Sequence, residues 1–179
     1  MPEDPRAEVI DGEIVQKAAP SAEHSDAQSA LLTWVRRRFG RGGGGPHRPG
    51  GWWILVEVEI EIEAHEVYRP DVAGWRRERV PERPRGRPVR MAPDWVCEVL
   101  SRSNARNDLV KKFRAYHRAR VGHYWIVDPD DETLVVYRWN EGGYLAVLTA
   151  NKGETVRAEP FDALELPVGV LFGEDDPEE

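Results

Sequence analysis

The chain has 179 residues, enough for one domain with its own core, and seven Trp, five Tyr and four Phe supply the apolar area without a crosslink. A single cysteine, Cys97, excludes an internal disulfide, argues against a cysteine-based zinc site and fits a reducing compartment. The net charge of −7 argues against a protein that coats nucleic acid, but it averages an acidic end, GEDDPEE (173–179), with a basic run, RRERVPERPRGRPVR (76–90), holding seven Arg against two Glu.

The opening MPEDPRAEVIDGEIV carries charge and proline where a secretory leader would carry a basic start and an apolar run. Residues 8–15, EVIDGEIV, read as two short strands around an Asp-Gly turn, a hairpin. Ser21 after Pro20 predicts a helix N-cap. Ala27, Leu31, Trp34, Val35 and Phe39 then put one apolar stripe on a helix ending near Phe39. Glycine and proline crowd GRGGGGPHRPGG (40–51), which predicts a flexible connector. It has no Gly-Lys-Ser/Thr ending and so is no phosphate-binding loop. From Trp52 the period becomes two: Val56, Val58, Ile60 and Ile62 alternate with Glu57, Glu59, Glu61 and Glu63. This predicts a strand with one apolar face and one wet, acidic face. Apolar stretches such as Trp52 to Val56 are too short to cross a bilayer, so a soluble, cytoplasmic protein without a membrane partner is expected.

A second strand is expected over VYRPDVAGW (67–75), followed by the basic, proline-rich loop. APDWVCEVLS (92–101) reads as a strand covered on both faces, because Trp95-Val96-Cys97 is apolar without alternation. Past the polar SRSNARN a helix is expected from about Asp108 to Arg118. HYWIVDP (123–129) and TLVVYRW (133–139) then form an antiparallel hairpin around an Asp-rich turn. YLAVLTA and a closing segment near Phe161 to Leu171 complete the chain. Hairpins with a helix on each side, rather than regular β-α-β alternation, predict an α/β fold with a mixed sheet flanked by helices. One domain over 1–172 is expected, with 173–179 as a disordered acidic tail.

Cleaving a phosphodiester near neutral pH calls for a divalent cation that offsets phosphate charge and acidifies a water. It also calls for hard oxygen ligands and a positive group that orients the nucleophile or offsets developing charge. Glu98 stands in a strand that is otherwise apolar from Trp95 to Leu100. A carboxylate there is costly unless it is paired, protonated or metal-bound; a salt bridge to an arginine is the plain alternative. Asp71 follows Pro70, which removes a backbone donor and favours a strand end. On the second helix Leu109, Phe113 and Tyr116 share one face. Lys112 falls at its edge, whereas Lys111 points away into solvent. Asp108 is spaced to pair with Lys112.

Taken in order, RPDV, EVLS, DLVKKFRAY and HYWIVDP resemble the Uma-two family of restriction endonucleases, a branch of the PD-(D/E)xK nuclease superfamily. The likeness runs from EVIDGEIV and the Ser21/His24 helix to YWIVDP, most of the chain. It implies a restriction-endonuclease-like fold and a metal-dependent DNA endonuclease. Asp71 and Glu98 would ligate Mg²⁺ (or Mn²⁺), the backbone carbonyl of Val99 would be a further ligand, and Lys112 would be catalytic. The simple superfamily pattern places its lysine at position 100, where this chain has Leu100. The resemblance implies that the lysine has moved to the following helix, in agreement with the helical-wheel choice. His24 and Glu13 match recurrent positions near the family's N-terminus. Arg120-Val121-Gly122-His123 departs from the family's helix-to-strand turn. DNA is the implied substrate, with the Arg76–Arg90 loop beside the site as a phosphate clamp, and a homodimer is compatible with the resemblance.

Two other readings stay open on the residues alone. One is a catalytically inactive nuclease-fold module that binds DNA or protein. The other is a structural domain whose buried carboxylates only form salt bridges.

Overall fold

Asp11 and Gly12 both adopt positive φ (54° and 78°), which closes a tight turn between β1 (Ala7–Ile10) and β2 (Glu13–Gln16). The computed structural model describes residues 7–17, 19–40, 42–101 and 106–177, the side chains of 106–108 excepted. Ser21 caps α1 (Ala22–Phe39), its hydroxyl accepting from the His24 amide at 3.2 Å. The five residues of the expected stripe, Ala27 to Phe39, are all buried.

The alternation over 56–63 predicts one strand, but the structure breaks it. β3 (Trp52–Val56) ends at Glu57, whose φ of 50° turns the chain away, and β4 (Ile60–Glu63) belongs to another sheet. The run 67–75 divides likewise, at Arg69-Pro70-Asp71, into β5 (Glu66–Tyr68) and β6 (Val72–Arg76). The chain thus leaves the larger sheet at Glu57 and re-enters it at Asp71. The two crossing points are tied together by the Glu57 amide donating to the Asp71 carbonyl at 3.3 Å. The excursion pairs β4 and β5 with the opening hairpin in a four-stranded antiparallel sheet, ordered β2-β1-β5-β4.

β7 (Trp95–Val99) is buried throughout, as its continuous apolar run requires. It is followed by α2 (Arg106–Arg118), β8 (His123–Asp128), β9 (Thr133–Arg138) and β10 (Leu145–Asn151). The six-stranded sheet is ordered β10-β9-β8-β7-β6-β3. Every neighbour is antiparallel except β7 and β8, which α2 joins as a parallel crossover. A small pair, β11 (Thr155–Val156) with β12 (Leu166–Pro167), and a 3-10 turn at Val168–Phe172 close the chain.

Both faces of the sheet carry a core. Trp95, Cys97 and Val99 of β7 pack with the α1 stripe, Trp125, Phe161 and the closing 3-10 turn. The alternate residue Val96 packs with Tyr116, Tyr124, Ile126 and the small sheet's Ile10, Ile60 and Tyr68. Gly74 of β6 lies where a Cβ would come within 3.0–3.2 Å of Trp95, Ile54 and Trp52, so the close packing leaves room only for hydrogen.

The acidic row is less wet than its alternation predicts. Arg87 reaches Glu59 at 2.9 Å, Arg90 reaches Glu61 at 3.0 Å, and Arg118 reaches Glu63 at 3.2 Å. The acidic end is described as far as Pro177, and within it Asp176 makes an ion pair of 2.9 Å with the buried Arg38. Among the described residues no helix is long and apolar enough to cross a membrane.

Candidate active site

Strand alternation sends Glu98 to the same face of β7 as Val96, the face roofed by α2. Only 5% of Glu98 is exposed. Two α2 residues one turn apart reach it. The Lys112 ammonium lies 3.3 Å from Oε1, and the Tyr116 hydroxyl donates to Oε1 at 2.8 Å. Burial pushes the Glu98 carboxyl up to about 7; the charge of Lys112 opposes this and that of Asp71 adds to it. Burial also drives the Tyr116 phenol well above its ordinary value, so it remains a donor. The partner of Glu98 is therefore a lysine on the following helix rather than an arginine.

Asp71 sits at the strand end that Pro70 favours, immediately before β6, with 1% exposure. Its Oδ2 accepts the Val99 amide of the neighbouring β7 at 2.7 Å. Its Oδ1 faces the Lys17 ammonium at 2.9 Å and His24 Nε2 at 3.5 Å. Burial works against its charge. The His24 hydrogen bond, the Lys17 charge and the Val99 amide outweigh it and hold the carboxyl well below the usual carboxylate range. For His24 burial would lower the pKa, but the bond to Asp71 wins and raises it. Gln28, one turn further along α1, donates from Nε2 to the Asp71 carbonyl and to Glu57 Oε1, both at 3.1 Å.

Lys112 is 3% exposed and bridges two carboxylates, Glu98 and Glu8 of β1, the latter at 3.1 Å. Glu8 Oε1 also accepts the Arg69 amide at 2.7 Å, whereas its buried Oε2 has no partner. Lys111, expected in solvent, makes a half-exposed ion pair with Asp11 at 3.1 Å. The Asp108 side chain, expected to pair with Lys112, lies outside the described residues. His24 is brought into the cluster, but Glu13 faces outward from β2. At the departure from the family pattern, Arg120 takes φ 57° and Val121 donates back to the Tyr116 carbonyl, closing α2 just below the Tyr116–Glu98 contact.

Glu8, Lys17, Gln28, Glu57 and Tyr116 were not singled out from the sequence. Glu8, in the first strand of the hairpin, and Lys17, just past the second, carry no pattern that marks them; their burial follows only once the small sheet folds against α2 and Asp71. Tyr116 carried a signal, since it shares the α2 face with Lys112, but its apolar ring made it look like core.

Lys17 has its own oxygen shell: Asp71 Oδ1 and the Arg69 carbonyl at 2.9 Å, and Glu57 Oε2 at 4.0 Å. Burial opposes its charge, but the pull of Glu98, then of Asp71, raises its pKa above that of a free lysine. Arg69 pairs with Glu57 at 3.0 Å behind it. The donor chemistry suits a hard dication: Asp71, Glu98 and the orphaned Glu8 Oε2 are hard carboxylate oxygens, of the kind such ions take. Among the described residues no three His, Cys, Asp or Glu side chains are already closed around one point. The two ammonium groups stand among these oxygens instead.

The basic loop is largely engaged elsewhere. Arg76 and Arg77 lie over the Trp52 and Trp53 rings at 4.6 and 3.8 Å, Arg79 pairs with Asp94 at 2.8 Å, and Arg87 and Arg90 hold the acidic row. Arg83, with Arg36 and Arg77, lines a separate hollow of about 340 Å³ at the C-terminal end of α1.

A family model, Uma2, described as "Putative restriction endonuclease", matches residues 1–169. The chain belongs to the Uma2 family. A solved structure described as "a putative nuclease belonging to DUF820 from Anabaena variabilis ATCC 29413" is 24% identical, covering 96% of this chain and 93% of that chain with a TM-score of 0.70. The likeness fixes the fold, a nuclease-like mixed α/β arrangement, and Uma2 membership gives the chain a nuclease-type function. No curated protein matches the chain.

Proposed function

We propose that this Uma2 chain is a divalent-metal-dependent endonuclease that hydrolyses phosphodiester bonds in DNA. The observation that carries the reading is the gathering of buried Asp71, Glu98 and Lys112, from two strands and a helix, into one cluster. Asp71 and Glu98 would hold Mg²⁺ or Mn²⁺, with the Val99 carbonyl and the unpartnered Glu8 oxygen as further donors. When bound, the cation offsets phosphate charge and lowers the pKa of water.

The chain's own groups have definable parts. Lys112 is fixed between Glu8 and Glu98 and places a positive charge beside the site, where negative charge develops on the phosphate during cleavage. Tyr116 fixes the rotamer of Glu98. Gln28, His24 and the Val99 amide hold Asp71. Glu98, with its pKa near 7, changes charge in response to a cation placed beside it. Within the basic loop, Arg83 and Arg85 are exposed and suit phosphate contacts, while the exposed Arg87 would have to exchange Glu59 for a phosphate.

The test is incubation of the purified chain with supercoiled, linear and single-stranded DNA in Mg²⁺ or Mn²⁺, alongside Asp71→Asn and Glu98→Gln. Metal-dependent nicking lost in both variants is expected. No cleavage of any DNA form, together with no heat of Mn²⁺ binding, would end the reading. A second reading has one observation in its favour: Lys17 and His24 already neutralise Asp71, as in a catalytically silent module that binds DNA or protein. It requires DNA or protein binding that is indifferent to chelator and unchanged in Glu98→Gln.

A further inference from the structure

Among the described residues, the hydrogen-bond and ion-pair partners of the Lys17 ammonium are oxygens. The shell comprises a carboxylate of Asp71, the backbone carbonyl of Arg69 and, further out, a carboxylate of Glu57, with the charge of Glu98 as its strongest attraction. Two carboxylates with one main-chain carbonyl, and a third carboxylate near enough to act through its charge, make the kind of set a hard divalent cation takes. The shell does not depend on the lysine for its position. Gln28 Nε2 ties Glu57 to the Asp71 carbonyl, the Val99 amide holds Asp71 Oδ2, and the Arg69 guanidinium holds Glu57 from behind.

Lys17 is held at 2.9 Å by the Arg69 carbonyl and Asp71, but its main chain is mounted differently from that of Lys112. It follows the last residue of β2, the outermost strand of the small sheet, and reaches inward on a four-carbon stem. Lys112 contrasts with it, rising from a packed helix between two carboxylates. An ammonium sits 2.9 Å from its oxygens, whereas Mg²⁺ needs about 2.1 Å. A shell spaced for an ammonium is thus wider than one closed on Mg²⁺ would be.

We propose that Lys17 is a tethered stand-in cation: its ammonium covers the Asp71 oxygen that a dication held by Asp71 and Glu98 would need, and it swings out when the dication enters. The inference rests on the metal-dependent reading above and adds its control. The chain carries a built-in competitor that sets metal affinity and keeps the site electrically balanced between turnovers.

Mn²⁺ calorimetry on the full chain tests this, with wild type, Lys17→Met, Lys17→Arg and Lys111→Met compared. Lys17→Met keeps the length and loses the charge, and is expected to lower Kd at least tenfold, about 1.4 kcal/mol. Lys17→Arg should bind no tighter than wild type. Lys111→Met removes one surface charge paired with Asp11 and should leave Kd unchanged; an equal gain there would reduce the effect to net charge and overturn the proposal. The second readout uses wild type alone, so it survives a misfolded variant. Amine acetylation with peptide mass spectrometry should modify Lys17 at least fivefold faster with Mg²⁺ than with chelator, with Lys112 protected in both. Unchanged or slower modification of Lys17 overturns the proposal. Equal Mn²⁺ affinity in wild type and Lys17→Met sinks the stand-in role and leaves the nuclease reading intact, whereas no binding by either removes both.

Discussion

Replacing Lys112 by methionine keeps the volume of the side chain and removes the charge between Glu8 and Glu98. At 3.1 and 3.3 Å, and with an effective dielectric near 20, each contact is worth about 5 kcal/mol of gross attraction. The carboxylates remain buried after the substitution, so their desolvation is no longer offset. Breaking one side of such a pair typically costs about 3–5 kcal/mol, a large share of the roughly 5–15 kcal/mol that stabilises a domain. The loss should depend on pH in a defined direction. Folded Glu98 already titrates near 7 against 4.5 when unfolded, and without Lys112 it rises further. Between these values the folded chain holds a proton that the unfolded chain has released, so stability increases as pH falls, by about 1.4 kcal/mol per unit. Urea titrations in chelator at pH 8 and pH 6 should therefore show a deficit of several kcal/mol at pH 8, smaller by about 1 kcal/mol at pH 6. A deficit below about 1 kcal/mol, or one equal at both pH values, refutes the reasoning.

Two further outcomes are expected. Wild-type stability should decline from pH 5 to pH 8 as folded Glu98 gives up its proton late, and Glu98→Gln should flatten that slope by at least about 1 kcal/mol in melts across the range; an unchanged slope would clear Glu98 of the effect. Gly74→Ala forces a methyl against Trp95, Ile54 and Trp52 and should cost about 1–3 kcal/mol, lowering Tm by several degrees in calorimetry, while a Tm at or above wild type would show that the layer can give.

Periodicity was legible where one element carries one pattern. The α1 stripe, the doubly covered β7 and the β8–β9 hairpin all lie where their apolar spacing places them. It failed where a strand pattern continues across a break. Glu57 changes sheet by a single positive φ, and the side-chain alternation on either side continues in phase as though nothing intervened. Pro70 marked the second break, yet only the strand-end reading of Asp71 used it. The three residues chosen for their chemistry, Asp71, Glu98 and Lys112, stood out because each broke a local rule, a charge in or beside an apolar element; Lys112 lies 3.3 Å from Glu98, and Asp71 accepts the amide of the next residue, Val99. Glu8 and Lys17 broke none. Glu8 is one charge in a short hairpin strand and Lys17 follows the second strand, and only the docking of one sheet against another encloses them.

The single parallel pair in the large sheet has a corollary for how such sites can be found. Two parallel strands cannot be joined by a tight turn, so the connecting chain must arch over one face and return to the starting end. That arch is α2, and its underside overhangs the strand bearing Glu98. Lys112 and Tyr116 on the overhang acquire an address at that carboxylate, whatever their distance along the polypeptide. A charge brought down from overhead, as Lys112 is onto Glu98, is invisible to a signature written as fixed intervals along the strand, while a census of what roofs the strand finds it.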